Sequence, residues 1–330
     1  TTVHAIEKEG GIFVLHTGHG DVRARFVVNA AGVAAGTVSA MAGARAFVIR
    51  QRRGEYCLLD NKSRLLVSHV LFQTPTELGK GVLVTRTVDG NILIGPSADD
   101  QSAEMYEYKG TTAVSQSDIL AKALLTIPDI PRGNIINSFA GVRAVAYTAG
   151  ENGNAENPVN DFIIEEDSDV KGFFNAGGIC SPGLSAAPAV AEYMLELLEK
   201  AGLDVKKRPG FIEERKGITA FNTADTKTKL QLIKDNPLYG RIVCRCETVT
   251  EAEIVQAVRS PLGALDLDGV KRRTRAGMGR CQSGFCSPRV TEILSREAHI
   301  PMTSVTKKGG ASFVLDGKTR DFSGGEGDIE

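Results

Sequence analysis

The chain has 330 residues, of which 42% are hydrophobic and 24% charged, and its formal net charge is −1. This is ordinary globular composition with length for two or three domains and full cores, which excludes wholesale disorder. The near-neutral balance provides no concentrated basic surface, so nucleic acid and an anionic membrane are excluded as electrostatic partners.

The first residue is Thr, and the chain opens directly into two strand-like runs, Val3 to Glu7 and Ile12 to Thr17, joined by Glu9-Gly10-Gly11 as a hairpin signal. It is expected to start in mid-domain. Phe26 to Gly32 reads as a buried strand ending in small residues, where a ligand or another backbone can approach closely, followed by a helix from Ala34 to Met41. The most apolar stretch, Phe26 to Ile49, is broken by Asn29, Thr37, Ser39, Arg45 and glycines, so no transmembrane segment is expected and any membrane contact is peripheral. Strand-like segments recur at Phe47 to Arg50, Glu55 to Leu59, Leu65 to Phe72, Gly81 to Thr87 and Asn91 to Ile94, which predicts a largely antiparallel region. Ser117 to Thr126 reads as a capped amphipathic helix, and Ile135 to Phe139 and Asp161 to Ile164 as further strands.

Gly172 to Gly183 is a strand and a glycine-rich turn that pass into an apolar helix from Ser185 to Glu199. A glycine-rich turn at a helix N-terminus suits negative charge, whether phosphate or the electron-rich edge of a ring cofactor; a plain packing turn is the equal alternative. Residues 203–239 turn polar and read as a linker or wrapping segment. Beyond Ile300, Ser312 to Leu315 and Lys318 to Asp321 flank Asp316-Gly317 as a hairpin, before a Gly/Glu/Asp tail from Ser323 that is expected to be disordered.

Six cysteines are few, and Cys57 and Cys180 show no framework pattern, which suits a reducing compartment and a cytoplasmic location. The other four, Cys244, Cys246, Cys281 and Cys286, form C-x-C, then 34 residues, then C-x4-C. Four thiolates so grouped hold an iron–sulfur cluster; structural zinc is the alternative, although zinc knuckles usually have two to four residues between cysteines at both ends. Thr250 with Glu253 makes a capping box after the first pair, and Ser287 with Pro288 starts a helix after the second. Both pairs are therefore expected at helix N-termini, whose free amides and dipole favour an anionic cluster. The run Lys271, Arg272, Arg273 and Arg275 reads as a solvated helix face or an offset to cluster charge, with partner docking the lesser reading.

Residues 241–297, RIVCRCETVTEAEIVQAV through GRCQSGFCSPRVTEILSRE, resemble the bacterioferritin-associated-ferredoxin type of domain at all four ligand positions, which implies a [2Fe-2S] cluster on a small helical module. Residues 26–200 resemble the FAD-dependent oxidoreductases of the D-amino-acid-oxidase superfamily, in the branch of glycerol-3-phosphate and 2-hydroxyglutarate dehydrogenases. The motifs are VVNAAG at 27–32, RRGEYCLLD at 52–60, GKGVLVTRTVDGNILIGP at 79–96, FAGVRA at 139–144, DFII at 161–164 and NAGGICSPGLSAAPAVAEYM at 175–194.

That resemblance implies an α/β plus α+β fold. An incomplete FAD-binding Rossmann-like domain spans 1–46 and 165–202, an antiparallel β-sheet substrate domain spans 47–164, and the helical [2Fe-2S] domain spans 240–300, with a hairpin and tail over 301–330. Asn29, Ala30, Ala31 and Gly32 are implied to lie against the adenylate half of FAD. Gly177, Gly178, Ile179, Pro182, Gly183, Leu184 and Ser185 are implied to meet the flavin's pyrimidine edge. Arg143 matches the arginine that holds the substrate's anionic group, against the alternative of a structural arginine, and Tyr56 faces the same pocket or serves as a core tyrosine. No catalytic base is assigned, because the five histidines have no metal spacing and stand in no family motif.

Such enzymes open with a strand, a G-x-G-x-x-G turn and a helix, and the 330 residues contain no such fingerprint. The chain is therefore expected to be a fragment, or to be completed by another chain, to hold FAD weakly and to associate with copies or partners through exposed sheet edges. The implied activity is oxidation of a small anionic secondary alcohol, foremost sn-glycerol 3-phosphate. The alternatives are L-2-hydroxyglutarate or another 2-hydroxy acid as substrate, and a non-catalytic electron-carrier or docking module. Electrons are implied to pass from flavin to cluster, then to an acceptor protein or a quinone-linked subunit, in the cytoplasm or peripherally at the membrane's inner face.

Overall fold

The computed structural model describes residues 1–45, 47–74, 81–102, 108–150, 152–206 and 208–319. They form two compact units, Thr1–Phe211 and Ile212–Glu330. The tail beyond residue 319 expected to be disordered, and the last two residues of the hairpin expected there, lie outside the described residues.

The first unit opens with an antiparallel sheet of β1 (Val3–Glu9), β2 (Ile12–Thr17) and β3 (Gly20–Ala24). The hairpin read from Gly10-Gly11 is present, and the third strand, absent from the sequence reading, follows a turn at Gly18 to Gly20. Then come β4 (Val27–Asn29), helix α1 (Ala35–Met41) and β5 (Phe47–Leu59), a single strand of 13 residues where two were expected. The polar centre of β5 is no break, because Gln51, Arg53 and Glu55 are all buried on one face.

The next elements are β6 (Leu83–Arg86), β7 (Ile92–Gly95), β8 (Asp99–Asp100), α2 (Ala113–Leu124), β9 (Ile135–Ala149) and β10 (Ala155–Pro158). They make a six-stranded antiparallel sheet in the order β10-β9-β5-β7-β6, with β8 added on β5. The expected strand from Leu65 to Phe72 is not one: only Leu71 pairs, as an isolated bridge to Val84. Helix α2 starts four residues earlier than Ser117, because Thr112 accepts from Ser115 N–H and caps it.

Strands β11 (Ile163–Glu166) and β12 (Phe173–Gly177) complete a small sheet with β4, in which β4 and β12 run parallel, and α3 (Gly183–Lys200) follows β12. Strand β12 is buried along its whole length, with Phe173 and Phe174 fully enclosed.

The second unit contains α4 (Thr226–Asp235), the short pair β13 (Ile242–Cys244) and β14 (Val249–Thr250), and helices α5 (Glu251–Arg259), α6 (Leu267–Thr274) and α7 (Ser287–Ala298). Its core joins Val249, Ile254, Val270, Ile293, Leu294 and Val305 to the buried Cys244 and Cys286. Residues 212–239 belong to this unit and are not a plain linker. Asp225 caps α4 through Thr228 N–H at 2.8 Å, and Phe221 stacks on Tyr239 at 6.1 Å over Ala252. Phe313 bridges Thr306, so the described part of the expected C-terminal hairpin pairs upstream and not across Asp316-Gly317.

Phe221 is 9% exposed in this small cluster. Phe221→Ala is expected to destabilise the second unit by about 3 kcal/mol, the usual loss for a buried aromatic. Calorimetry checks it: the transition assigned to the cluster unit falls while that of residues 1–211 stays in place.

Candidate functional site

Three groupings carry the expected site residues. The first lies at the carboxyl ends of the parallel strands β4 and β12, where open α/β sheets bind ligands. Asn29 is buried, and its Nδ2 donates to Ala35 O and to Asn175 Oδ1, both at 2.8 Å. Its side chain therefore holds the turn, leaving Ala30, Ala31 and Gly32 as the exposed backbone that a ligand can reach. Asn175, which the sequence reading passed over, is fully buried, and its Nδ2 has no partner.

Just after β12, Gly178 has φ +66°, and a Cβ there would stand 2.7 Å from the Ala146 Cβ, so the turn sits directly on β9. Helix α3 then begins at Gly183 with no side-chain cap from Pro182; Leu184 and Ser185 are exposed in its first turn. Ala30, Val28, Ala176, Ile179 and Gly183 line one apolar concavity of about 500 Å³. Gly183 and Ser185 N–H are taken by Cys180 O and Pro182 O, but a helix N-terminus without a side-chain cap beside an apolar wall still suits a flat ring with an electron-rich edge, so the residues present fit the ring end of a flavin.

The second grouping lies on one face of the six-stranded sheet. Cross-strand partners share a face, and the register pairs Arg52 with Arg143, Gly54 with Gly141 and Tyr56 with Phe139. Tyr56 and Phe139 stack at 5.3 Å; between that stack and Arg143, Gly141 leaves open space, whereas Pro96 and Ser97 O cover Gly54. Arg143 donates from Nη2 to Ser97 O at 3.1 Å, while its buried Nε has no partner. Arg52 is occupied by Asp100, with bonds of 2.5 and 3.0 Å, and this bond holds the Asp100 carboxyl below the usual range. Burial pushes the Tyr56 phenol up, against the opposing Arg143 charge, so it stays protonated and can donate. Arg143 lies three residues along β9 from Ala146, on which Gly178 rests, so the two stand on opposite faces of the strand, roughly 10 Å apart at strand rise.

The third grouping is the four cysteines. The capping box expected at Thr250 and Glu253 opens α5, and Cys286, not Ser287, stands at the N-cap of α7 with Pro288 in the first turn. The thiols come in two pairs: Cys246 Sγ lies 3.5 Å from Cys281 Sγ, and Cys286 hydrogen-bonds Cys244. That bond, with backbone donors at Gly277 and Glu247, pulls the Cys244 thiol down to about 6, and its counterpart drives Cys286 up. At Cys246 the Cys281 backbone bond lowers the thiol, but burial and the neighbouring sulfurs outweigh it, so the net shift is upward.

Among the described residues no three His, Cys, Asp or Glu side chains converge on one metal position. Two sulfur pairs fit a binuclear cluster, with two thiolates for each iron, better than one zinc tetrahedron. Sequence reasoning missed Gly279, where a Cβ would stand 2.2 Å from the Cys246 Cβ, and Gln282, whose amide binds Met278 O and Gly279 O at 3.1 Å. Gln282 and Ser283 are consecutive left-handed residues that curl the C-x4-C loop.

Residues 1–197 match the model of the FAD dependent oxidoreductase (DAO) family, and residues 242–296 match the BFD-like [2Fe-2S] binding domain. The chain belongs to the FAD dependent oxidoreductase family and carries a BFD-like [2Fe-2S] domain on its C-terminal side. A glycerol 3-phosphate dehydrogenase of Caloramator mitchellensis is 42% identical over 315 residues, covering 96% of this chain and 63% of that protein. Anaerobic glycerol-3-phosphate dehydrogenase subunit A1 of Haloferax volcanii is 25% identical over 306 residues, 84% of this chain and 49% of that one. The L-alpha-glycerophosphate oxidase from Mycoplasma pneumoniae, solved with FAD bound, aligns at TM-score 0.56 and 29% identity, over 64% of this chain and 52% of that one. The chain thus spans less than two thirds of the length of these relatives.

Gly279→Val puts a branched side chain where the Cys246 Cβ stands. It is expected to abolish iron and acid-labile sulfide in protein prepared without oxygen, while far-UV circular dichroism stays unchanged. Cys281→Ser should lose the cluster in the same assay, and stoichiometric zinc without sulfide in the unaltered protein would contradict the assignment.

Proposed function

We propose that this chain is part of an FAD-dependent dehydrogenase that oxidises a small anionic secondary alcohol, with sn-glycerol 3-phosphate the leading substrate. Electrons then pass from the flavin to the [2Fe-2S] cluster and on to an acceptor protein or a quinone-linked subunit. The observation that carries the reading is the Arg143 guanidinium, anchored to Ser97 O yet holding a buried, unpartnered Nε, on the strand face where Gly141 leaves open space. A buried donor without an acceptor is unfavourable unless a ligand supplies one, and a phosphate or carboxylate oxygen does so. Relatives named for glycerol 3-phosphate favour the phosphate over a 2-hydroxy acid carboxylate.

When bound, the flavin supplies a hydride acceptor and the cluster a one-electron relay. The chain's own residues bind and orient. Arg143 fixes the anionic group, the Tyr56–Phe139 stack walls one side against water, and the protonated Tyr56 offers a donor to a substrate oxygen. Ala30 to Gly32 and the turn at Gly178 to Ser185 hold the cofactor through backbone amides and apolar contact. Among the described residues no helix is long and apolar enough to cross a membrane.

Steady-state kinetics of the whole protein with an artificial acceptor test this reading. Arg143→Ala is expected to lower kcat/KM for glycerol 3-phosphate roughly 30-fold to 1000-fold, about 2–4 kcal/mol for a lost charge-assisted contact, mainly through KM. Full activity in that variant would make the arginine structural and remove the basis for the substrate assignment.

A further inference from the structure

Glu247 directly follows Cys246, and its carboxylate accepts from Arg275 Nε at 2.7 Å. Both side chains are largely withdrawn from water, Glu247 at 11% and Arg275 at 25% exposure. Two features of the backbone serve this bond. Arg275 ends α6 in the left-handed conformation, φ +70°, which is uncommon outside glycine and persists where the surroundings hold it. A Cβ on Gly279 would stand 3.0 Å from Glu247 Oε1, so the bare glycine makes room for the carboxylate as well as for Cys246. The pair thus ties the C-x-C loop to the loop that leads from α6 into Cys281, across 28 positions of sequence. Both loops meet on one sulfur: the buried Cys244 accepts from the backbone N–H of Glu247 and from that of Gly277, two residues beyond Arg275.

We propose that the Glu247–Arg275 ion pair positions the [2Fe-2S] cluster's surroundings, holding both amides on the inner thiolate and thereby setting the reduction potential. This rests on the BFD-like domain carrying its cluster. Reduction adds one electron, and so one negative charge, to the cluster, and no bond or proton changes place. N–H groups aimed at a ligand sulfur stabilise the more negative state, so loosening either amide makes the cluster harder to reduce. The pair carries no net charge. Acting only as separate charges, its two halves would pull the potential in opposite directions, the cation upward and the anion downward.

A mediated redox titration of the full chain, followed by low-temperature EPR, separates placement from charge. Arg275→Met and Glu247→Leu are each expected to lower the reduced-to-oxidised ratio at the original midpoint about tenfold, which is about 59 mV for one electron. The double variant should fall no further than either single one, because both break the same bond. Independent charges would instead give a fall with Arg275→Met, a rise with Glu247→Leu and near cancellation in the double variant. That pattern, or unchanged midpoints in both single variants with the EPR amplitude intact, overturns the proposal. If Glu247→Leu assembles no cluster, Glu247→Gln carries the comparison: a lowered midpoint supports placement, and a raised or unchanged one overturns it. Absence of an EPR signal from the dithionite-reduced original protein overturns the cluster reading beneath the proposal, whereas a signal whose midpoint ignores the pair leaves that reading standing.

Discussion

The pairing of β5 with β9 is the constraint on which the first unit depends. Side chains alternate along both strands, so the register that sets Arg143, Gly141 and Phe139 on the open face sends Glu55 and Arg53 into the core. Glu55 is wholly enclosed and satisfied by Thr112 N at 2.9 Å, Gln116 Nε2 at 2.9 Å and Arg53 Nη2 at 3.1 Å. Slipping the register by one residue would expose that network and bury Arg143 in its place, leaving charges without partners. The buried carboxylate thus pins the face on which Arg143 appears. The same strand receives Gly178 at Ala146 on its other face, so the turn after β12 and the face that carries Arg143 share one support.

The second unit uses the same device around its cysteines. Glu251 is 1% exposed on its side chain and meets Arg296 at 2.9 Å, Arg289 at 3.4 Å and Arg241 at 3.5 Å. Arg241 directly precedes the strand that carries Cys244, and Arg289 lies in the first turn after Cys286. One buried anion therefore ties the two halves of the ligand set together across more than thirty residues of sequence. Removing such an anion would leave three cations crowded together, while the apolar core from Ile254 to Val305 closes the other side.

The parts legible in the sequence are those that local chemistry determines. The Thr250–Glu253 capping box, the small-residue end of β4 and the glycine turn after β12 all announce themselves over a few residues, and all take the expected form. What was hidden depends on distant partners. Residues 212–239 look polar because α4 exposes most of its length, and it is contacts between distant residues, such as the stack of Phe221 on Tyr239, 18 positions apart, that join the segment to the cluster unit. The expected strand at Leu65 to Phe72 has strand-like composition, but only Leu71 finds a pairing partner. The contact of Gly279 with Cys246 and the unpartnered Nε of Arg143 are facts of three-dimensional placement that no residue pattern carries.

The proposed function joins two chemistries in one protein: oxidation of an anionic substrate by a flavin, and a cluster that takes the electrons singly. Low-temperature EPR of the whole protein, mixed with glycerol 3-phosphate in the absence of oxygen and of any external acceptor, tests the join directly. The account predicts that substrate alone produces the rhombic signal of a reduced [2Fe-2S] cluster together with flavin bleaching. Bleaching of the flavin over an EPR-silent cluster, at a substrate concentration that saturates turnover, would contradict it.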